Sequence, residues 1–597
     1  MANEASRKIK DLRQVMKNES IDTYIIPTAD PHQSEYPPEY WAGRSWISGF
    51  TGSAGTVLIT SNHAGLWTDS RYYLQAEMQL KGSGIELHKL IAQAQAEYID
   101  WICNNLKSGQ TVGCDFWCFS LAQIQAFDKK LSDKGILLKD CGDLLVSVWN
   151  DRPGYSKELI YEHPVKYAGT SREAKLKKIR AEMKKAGADY FLISALDEIS
   201  HLLNLRGKDV HCNPVFMGYL LVNRTDADLF VPEKKMEESL KKKLNTAGIN
   251  EKPYSEIVGK LEQLKGDVKV MVDQSTLNAK LALKLPKGSI LNVISPVMLM
   301  KAIKNKTEIG HIRTAMEKDG VALLKSFMWL EEALKKSKPV SEFEFAMQIG
   351  FFRSQQALYV GESFDAIIGY AANGAIIHYR PEKDTSAIIK AKGILLVDSG
   401  GQYMDGTTDI TRTIALSPPS VDIKKQYTAV LMGHIALSDA IFPEKTKGIQ
   451  LDILARQYLW KLSLNYSHGT GHGVGYFMNV HEPPQGFVTA WNQRGQAEML
   501  EGMLTSNEPG YYKEGSHGIR TENLVINALH SETPEGRYLK FETVTLFPID
   551  ATLIHSPMMT RQAVDWLNAY HKEVYKRLST YLEPNEKKWL KKKCVSV

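Results

Sequence analysis

One stretch of this chain occurs twice. Lys8-Ile-Lys-Asp-Leu-Arg-Gln-Val-Met16, running on to Asp22-Thr-Tyr-Ile-Ile26, recurs 167 positions later as Lys175-Leu-Lys-Lys-Ile-Arg-Ala-Glu-Met183, running on to Asp189-Tyr-Phe-Leu-Ile193. In each copy the apolar residues switch from a 3.6-residue period to a continuous β-rich run. That is the signature of an amphipathic helix followed by a short buried strand. Each copy later carries a further strand closed by an aspartate, Gly65–Asp69 in the first and Val268–Asp273 in the second. Helices and strands alternating at these lengths predict two α/β domains of one design.

A chain of 597 residues exceeds what a single core sustains, roughly 250–300 residues. The expected division is residues 1–150 and 151–304 for the two copies, 305–530 for a third domain and 531–597 for a C-terminal extension. Asp151-Arg-Pro-Gly154 and the polar stretch to Ser171 read as a linker. The charged segment Lys301–Glu308 reads as a second boundary. A long helix with apolar positions Ile312, Met316, Val321, Leu324 and Met328 follows it. Trp566–Leu582 and Trp589 predict helical structure docking on the third domain.

A hydrophobic content of 43%, a charged content of 24% and a net charge of +6 describe an ordinary globular protein. The lysine runs Lys234–Lys235, Lys241–Lys243 and Lys587–Lys593 carry little aromatic interleaving. They read as solvated helix faces, and nucleic acid is not expected as a partner. No stretch approaches the roughly 20 apolar residues of a membrane span. Met1–Lys17 has no apolar core followed by a small-residue cleavage site. The six cysteines form no disulfide framework, and Cys114 and Cys118 read as buried thiols. Together these features predict a cytoplasmic protein without membrane attachment. Neither repeat copy shows a phosphate loop or a ligand cluster, so both are expected to shape access rather than to catalyse.

The chemistry is expected between residues 378 and 522. The apolar strand Gly393–Val397 ends in Asp398, and Asp405-Gly406 marks a hairpin leading into Thr407–Thr413, which carries Asp409. A carboxylate at the end of a buried strand needs a partner. A second one across the hairpin needs a cation between them. Asp398 and Asp409 therefore read as a metal-bridging pair, and Asp405 as turn chemistry. His468 and His472 lie in Ser467-His-Gly-Thr-Gly-His-Gly-Val-Gly475, where the glycines argue against a helix and for a loop that lets backbone approach a ligand. His378 and His481 are further candidates. Glu508 opens a turn at Pro509-Gly510. Glu522 lies on the strand-like run Gly518–Ile526, with Arg520 on the same face to orient a metal-bound carboxylate.

Four carboxylates balance two divalent ions, whereas a single ion would leave excess negative charge to bury. Oxygen ligands with one imidazole favour Mn²⁺, Co²⁺ or Zn²⁺ over thiolate-type metals. Two such ions, on the order of 3.5–4 Å apart, lower the pKa of a bridging water and polarise a carbonyl, which is hydrolase chemistry.

The order Asp398, Asp409, His472, Glu508, Glu522 resembles the ligand set of the pita-bread dimetal metallopeptidases. Asp405–Thr413, His468–Gly475, Val480–Pro483 and Glu508–Tyr512 resemble those of the cytosolic Xaa-Pro aminopeptidase (aminopeptidase P) group. So do Tyr24–Tyr36, Phe50–Thr56 and Trp67–Tyr72 near the N-terminus. The resemblance covers nearly the whole chain. It implies two creatinase-like α/β domains before a pita-bread catalytic domain. It also implies a homodimer and removal of the N-terminal residue before a proline by a metal-bridging hydroxide. The same resemblance implies two Mn²⁺ on the five ligands and Glu508 as proton shuttle. His378, His468 and His481 would contact the substrate or stabilise the tetrahedral intermediate, with Arg520 and Tyr512 supporting the metal shell.

Prolidase uses the same five ligands but acts on Xaa-Pro dipeptides. Methionine aminopeptidase normally lacks the N-terminal domains, and creatinase-type hydrolases lack the metal set. A catalytically inactive binding module would be expected to have lost ligands.

Overall fold

A computed structural model of the chain describes residues 2–91 and 96–597. It divides into two compact units. One comprises residues up to Pro164 with Thr170–Val297, and the other comprises Val165–Gly169 with Met298–Val597.

The first unit contains both copies of the repeat. Helix Ala2–Asn18 buries Ile9, Leu12 and Met16, one stripe at helical spacing. Its counterpart Arg172–Ala186 buries Leu176, Ile179 and Met183. Ser171 caps that helix at its start, and Gly187 ends it in the left-handed region at φ 68°. The strands that follow, Thr23–Pro27 and Tyr190–Ile193, are inner strands of two six-stranded sheets with one topology. The first sheet runs Glu86–Lys89, Ala64–Thr68, Thr56–Thr60, Thr23–Pro27, Thr111–Cys114, Leu137–Asp140. The second runs Ile249–Pro253, Ala227–Val231, Tyr219–Val222, Tyr190–Ile193, Val270–Val272, Ile290–Asn292. Both follow the pattern parallel, antiparallel, antiparallel, parallel, parallel.

This topology corrects the pairing of strands across the repeat. The counterpart of Val268–Asp273 is Thr111–Asp115, not Gly65–Asp69. Asp115 and Asp273 each accept from the backbone N–H two residues on, that of Trp117 or Ser275. The two segments that follow interlock. Leu121 N–H donates to Leu277 O (2.8 Å) and Ala279 N–H to Phe119 O (2.9 Å). Ala122 N–H donates to Gln274 O (3.0 Å) and Lys280 N–H to Phe116 O (3.2 Å). Each loop thus satisfies the first N–H groups of the other copy's helix. Ser120 and Asn278 cap the third N–H of their own helices. Lys235, read from the sequence as solvated, is 2% exposed and paired with buried Asp209. Cys114 and Cys118 are buried free thiols, as expected.

In the second unit, helix Lys306–Lys335 starts at a capping box of Asn305 and Glu308. It buries Ile312, Met316, Val321 and Leu324. A three-stranded sheet runs Ile367–Tyr370, Ile394–Ser399, Ile410–Ala415. A six-stranded sheet runs Ile441–Pro443, Gly536–Thr543, Asn523–Thr533, Leu504–Asn507, Gly471–Gly473, Glu482–Phe487. Helices Val421–Ser438 and Arg561–Leu578 contribute Val430, Leu431, Leu567 and Val574 to the same core as Leu395 and Val397. The C-terminal residues therefore form part of this unit's core. Lys301 and Lys304, expected at a charged boundary, are buried around Glu482. No helix among the described residues is long and apolar enough to cross a membrane.

Candidate metal centre

Asp398 lies near the end of strand Ile394–Ser399, opposite Thr411 of strand Ile410–Ala415. Asp409 stands one residue before that second strand. The hairpin between them turns at Met404 and Asp405, because Tyr403 pairs with Gly406. Asp405 makes an ion pair with Lys318 at 2.6 Å, in keeping with its reading as a turn residue rather than a ligand.

His472 lies on strand Gly471–Gly473, not in a loop. The glycines around it answer to close backbone packing rather than to a ligand. A Cβ on Gly471 would lie 1.9 Å from Ser506 O, and one on Gly473 would lie 2.3 Å from Glu482 O. Glu508 follows strand Leu504–Asn507, and its N–H donates to Thr470 O at 2.7 Å. The run expected around Glu522 breaks into His517–Arg520 and Asn523–Thr533, which belong to different sheets. Glu522 occupies the break.

These segments converge. Asp409, His472 and Glu522 each offer a ligand atom, all within 4.8 Å of one another, and all three residues are buried. His472 Nε2 lies 3.6 Å from Asp409 Oδ2 and 3.4 Å from Glu508 Oε1. Arg520 Nη2 donates to Asp398 Oδ2, so its guanidinium orients Asp398 rather than Glu522. It also reaches Tyr512 OH at 2.7 Å and Thr411 Oγ1 at 3.1 Å. Thr411 in turn donates to Glu522 Oε2 at 2.7 Å.

The electrostatics of the cluster call for a cation. Burial raises the Asp409 carboxyl well above the usual range, and the charges of Glu522, Asp398 and Glu508 add to it. Glu508 is raised by burial and Glu522. Glu522 is pushed up to about 8 by burial and Asp398. Arg520 acts against all three shifts, but one guanidinium does not balance four carboxylates. Asp398 Oδ1 is buried with no hydrogen-bond partner. An orphaned carboxylate oxygen facing like charges fits a divalent cation pair held by oxygen donors and one imidazole.

Of the other histidines, His468 meets Tyr512 OH through Nε2 at 2.9 Å, linking it to Arg520. The His481 and His472 rings lie edge to face at 4.3 Å. His378 is half-buried beside Ile377, whose carbonyl is 3.5 Å from Arg520 Nη1. His517 turns to Gln426 Oε1 at 2.8 Å and Ser516.

Several supporting residues escape sequence reasoning. Arg412 is buried and donates to the carbonyls of Thr411, Glu522, Phe547 and Pro548, to Asn523 Oδ1 and to Tyr570 OH. Arg456, paired with Asp452, donates to Tyr466 O and His468 O and so holds the histidine loop. An Asp–Arg pair four apart on a helix reads as a surface ion pair, so its burial leaves no local signal.

Comparison with known proteins covers the whole chain. Residues 8–148 and 151–308 match models of the Creatinase/Prolidase N-terminal domain. Residues 310–527 match metallopeptidase family M24, and 537–597 match the C-terminal region of that peptidase. A Xaa-Pro aminopeptidase 1 from Dictyostelium discoideum is 40% identical over 98% of this chain and 96% of its own length. An aminopeptidase P2 from Arabidopsis thaliana is 39% identical over 98% of this chain and 87% of its own. The solved X-prolyl aminopeptidase of Caenorhabditis elegans, described as a cytosolic enzyme with a di-nuclear active site, superposes with a TM-score of 0.95. It is 31% identical, covering 99% of this chain and all of that one.

Proposed function

This chain belongs to metallopeptidase family M24, and we propose from that premise that it removes the N-terminal residue from peptides whose second residue is proline. The observation that carries this reading is the buried Asp409–His472–Glu522 cluster, with Asp398 and Glu508 beside it, in a chain matched along its whole length by aminopeptidases of that specificity. Residues 1–150 and 151–304 are two creatinase-like α/β domains, 305–530 is the pita-bread catalytic domain and 531–597 its C-terminal extension. The family matches support this division.

Asp398, Asp409, His472, Glu508 and Glu522 would hold two divalent ions, with Mn²⁺ first and Co²⁺ or Zn²⁺ as alternatives. When bound, the pair supplies an acidified water and polarises the scissile carbonyl. The chain's own groups do the rest. Glu508 takes the proton of the attacking water. The leaving nitrogen is that of proline and carries no hydrogen in the peptide, so it leaves only once protonated, and Glu508 returns its proton there. His378, His468 and His481 contact the substrate or stabilise the tetrahedral intermediate. Tyr512, bridged between His468 Nε2 and Arg520, ties that histidine to the guanidinium that orients Asp398. The enzyme acts in the cytoplasm as a homodimer. The relative described as a cytosolic enzyme supports the first of these two statements.

Hydrolysis of Arg-Pro-Pro, Arg-Pro and Met-Ala-Ser by metal-stripped protein resupplied with Mn²⁺ tests the reading. Release of arginine from the tripeptide alone is expected. Preference for Arg-Pro would reassign the chain to dipeptide cleavage, and inactivity on all three with metal bound would make it a binding module. Glu508→Gln is expected to retain metal by elemental analysis while losing most turnover, and normal turnover in that variant would remove Glu508 from the proton path.

A further inference from the structure

The sequence shows no ligand cluster in the N-terminal copies, yet the first sheet assembles one. His63 sits in the turn between strands Thr56–Thr60 and Ala64–Thr68, while Glu86 and His88 lie on the neighbouring edge strand Glu86–Lys89. The parallel register Gly65↔Glu86 and Trp67↔His88 brings these residues together, and alternation puts Glu86 and His88 on one face. His63, Glu86 and His88 each offer a ligand atom, all within 4.8 Å of one another. His63 Nδ1 lies 3.7 Å from Glu86 Oε2.

Three further observations point to a ligand. The Nε2 atoms of His63 and His88 are both buried without a hydrogen-bond partner, an arrangement that costs roughly 1–3 kcal/mol per group. Both rings are held in place by indoles. His88 stacks on Trp67 at 3.9 Å and 5°, and His63 stacks on Trp101 at 4.6 Å and 24°. Gly65 leaves the space between them clear, since a Cβ there would lie 2.8 Å from His63 Nε2 and 2.9 Å from His88 Cδ2. The Glu86 side chain is 67% exposed, which leaves the cluster open to solvent. Arg13, which donates to His63 O, opposes a cation here, and Glu86 offsets it.

The second copy provides an internal control. Its corresponding turn, Asn223–Asp226, has no histidine, and its polar groups satisfy one another. Thr225 N–H and Asp226 N–H both donate to Asn223 Oδ1, at 2.8 and 2.6 Å. The fold therefore does not require the triad.

We propose that His63, Glu86 and His88 form a divalent-metal site on the first N-terminal domain, selective for an imidazole-preferring ion of the zinc class and separate from the carboxylate-rich centre. Two imidazoles and one carboxylate with an open position match the donor set of zinc rather than that of Mg²⁺ or Ca²⁺. Ligand atoms around a tetrahedral zinc stand about 3.3 Å apart, so binding draws the three side chains inward.

The test uses the full chain. Wild type and a His63→Gln/His88→Gln double variant are equilibrated at the same buffered free Zn²⁺, and bound metal is counted by elemental analysis. The double variant is expected to hold about one zinc equivalent fewer with unchanged peptidase turnover. Equal counts would overturn the proposal. A measurement on the wild type stands independently of how the variant folds. Cu²⁺ with ascorbate oxidises histidines that ligate the metal, and mass spectrometry locates them. Oxidation at His63 and His88 supports the site, and its absence from both sinks it.

Discussion

Replacing Arg412 with methionine isolates what holds the C-terminal residues to the metal centre. The guanidinium donates to six acceptors and has no carboxylate among them. Four of those acceptors keep another donor within reach when it is removed: the Tyr570 hydroxyl lies within reach of Asn523 Oδ1 and itself takes the Phe547 N–H, both at 3.3 Å, and two carbonyls keep a donor as well. Phe547 O also takes the Tyr570 hydroxyl, and Thr411 O also takes the Glu522 N–H. The carbonyls of Glu522 and Pro548 lose their donor, at roughly 1–3 kcal/mol each. Release of a buried cation recovers part of that, because a guanidinium without a counter-ion is costly to desolvate. The expected net loss is about 3 kcal/mol. The second unit has roughly 300 residues. At about 2.1 cal/mol/K per residue its unfolding entropy is about 0.6 kcal/mol/K, so its melting transition should fall by about 5 °C. Scanning calorimetry on metal-stripped protein reads this directly, with the first unit's transition as an internal reference. A fall under about 2 °C, corresponding to about 1 kcal/mol, would refute the reasoning. It would mean that desolvation of the guanidinium cancels the bonds it makes.

Three other perturbations follow from the same structure. Glu522 is pushed up to about 8 when metal-free, so its proton-linked stability is full below the ordinary carboxylate range and is lost as pH rises through about 8. The metal-stripped protein should therefore melt lower at pH 8.5 than at pH 6. Bound metal should abolish that trend, and a flat metal-free profile would contradict it. Asp115 is raised to about 7 by burial, with Asp143 and Asp140 adding to it. Asp115→Asn keeps an acceptor for Trp117 N–H and should stabilise the first unit above pH 7, by up to about 4 kcal/mol. The gain should vanish near pH 4, as urea unfolding at the two pH values would read. Gly471→Ala would drive a Cβ to 1.9 Å from Ser506 O beside His472, so metal content and turnover should both collapse. Wild-type metal content in that variant would show that the strands can part.

Legibility varied with how local the signal was. The helix–strand unit of the repeat was readable because amphipathic period and β-rich run are both encoded within about twenty residues, and both copies fold as that pattern implies. The strand correspondence was misread at Gly65–Asp69 because a strand ending in aspartate looks alike on either side of a sheet. Pairing order separates them, and pairing is non-local. Asp398, Asp409, His472, Glu508 and Glu522 stood out through local anomalies: acid at a buried strand end, histidine among glycines, glutamate at a turn. The reason for the glycines was not readable, since Ser506 and Glu482 approach them from other strands. Lys235 reads as solvated because lysine usually is, and Lys301 and Lys304 read as part of a charged boundary between domains. Their burial depends on Asp209 and Glu482, which lie far off in sequence.

By itself, then, the sequence determined the α/β elements, the duplication and a set of acidic and imidazole groups too costly to bury without cations. Those properties are carried by periodicity and by the ionisation chemistry of single side chains. Tertiary structure alone decided which groups share a volume. It interlocked the two repeats through residues 116–122 and 274–280, pointed Arg520 at Asp398, and buried Arg412 among backbone carbonyls. It also gathered His63, Glu86 and His88 on one sheet edge. Strand order and register set these outcomes, and both depend on the free energy of the whole packed unit rather than on any local stretch of chain.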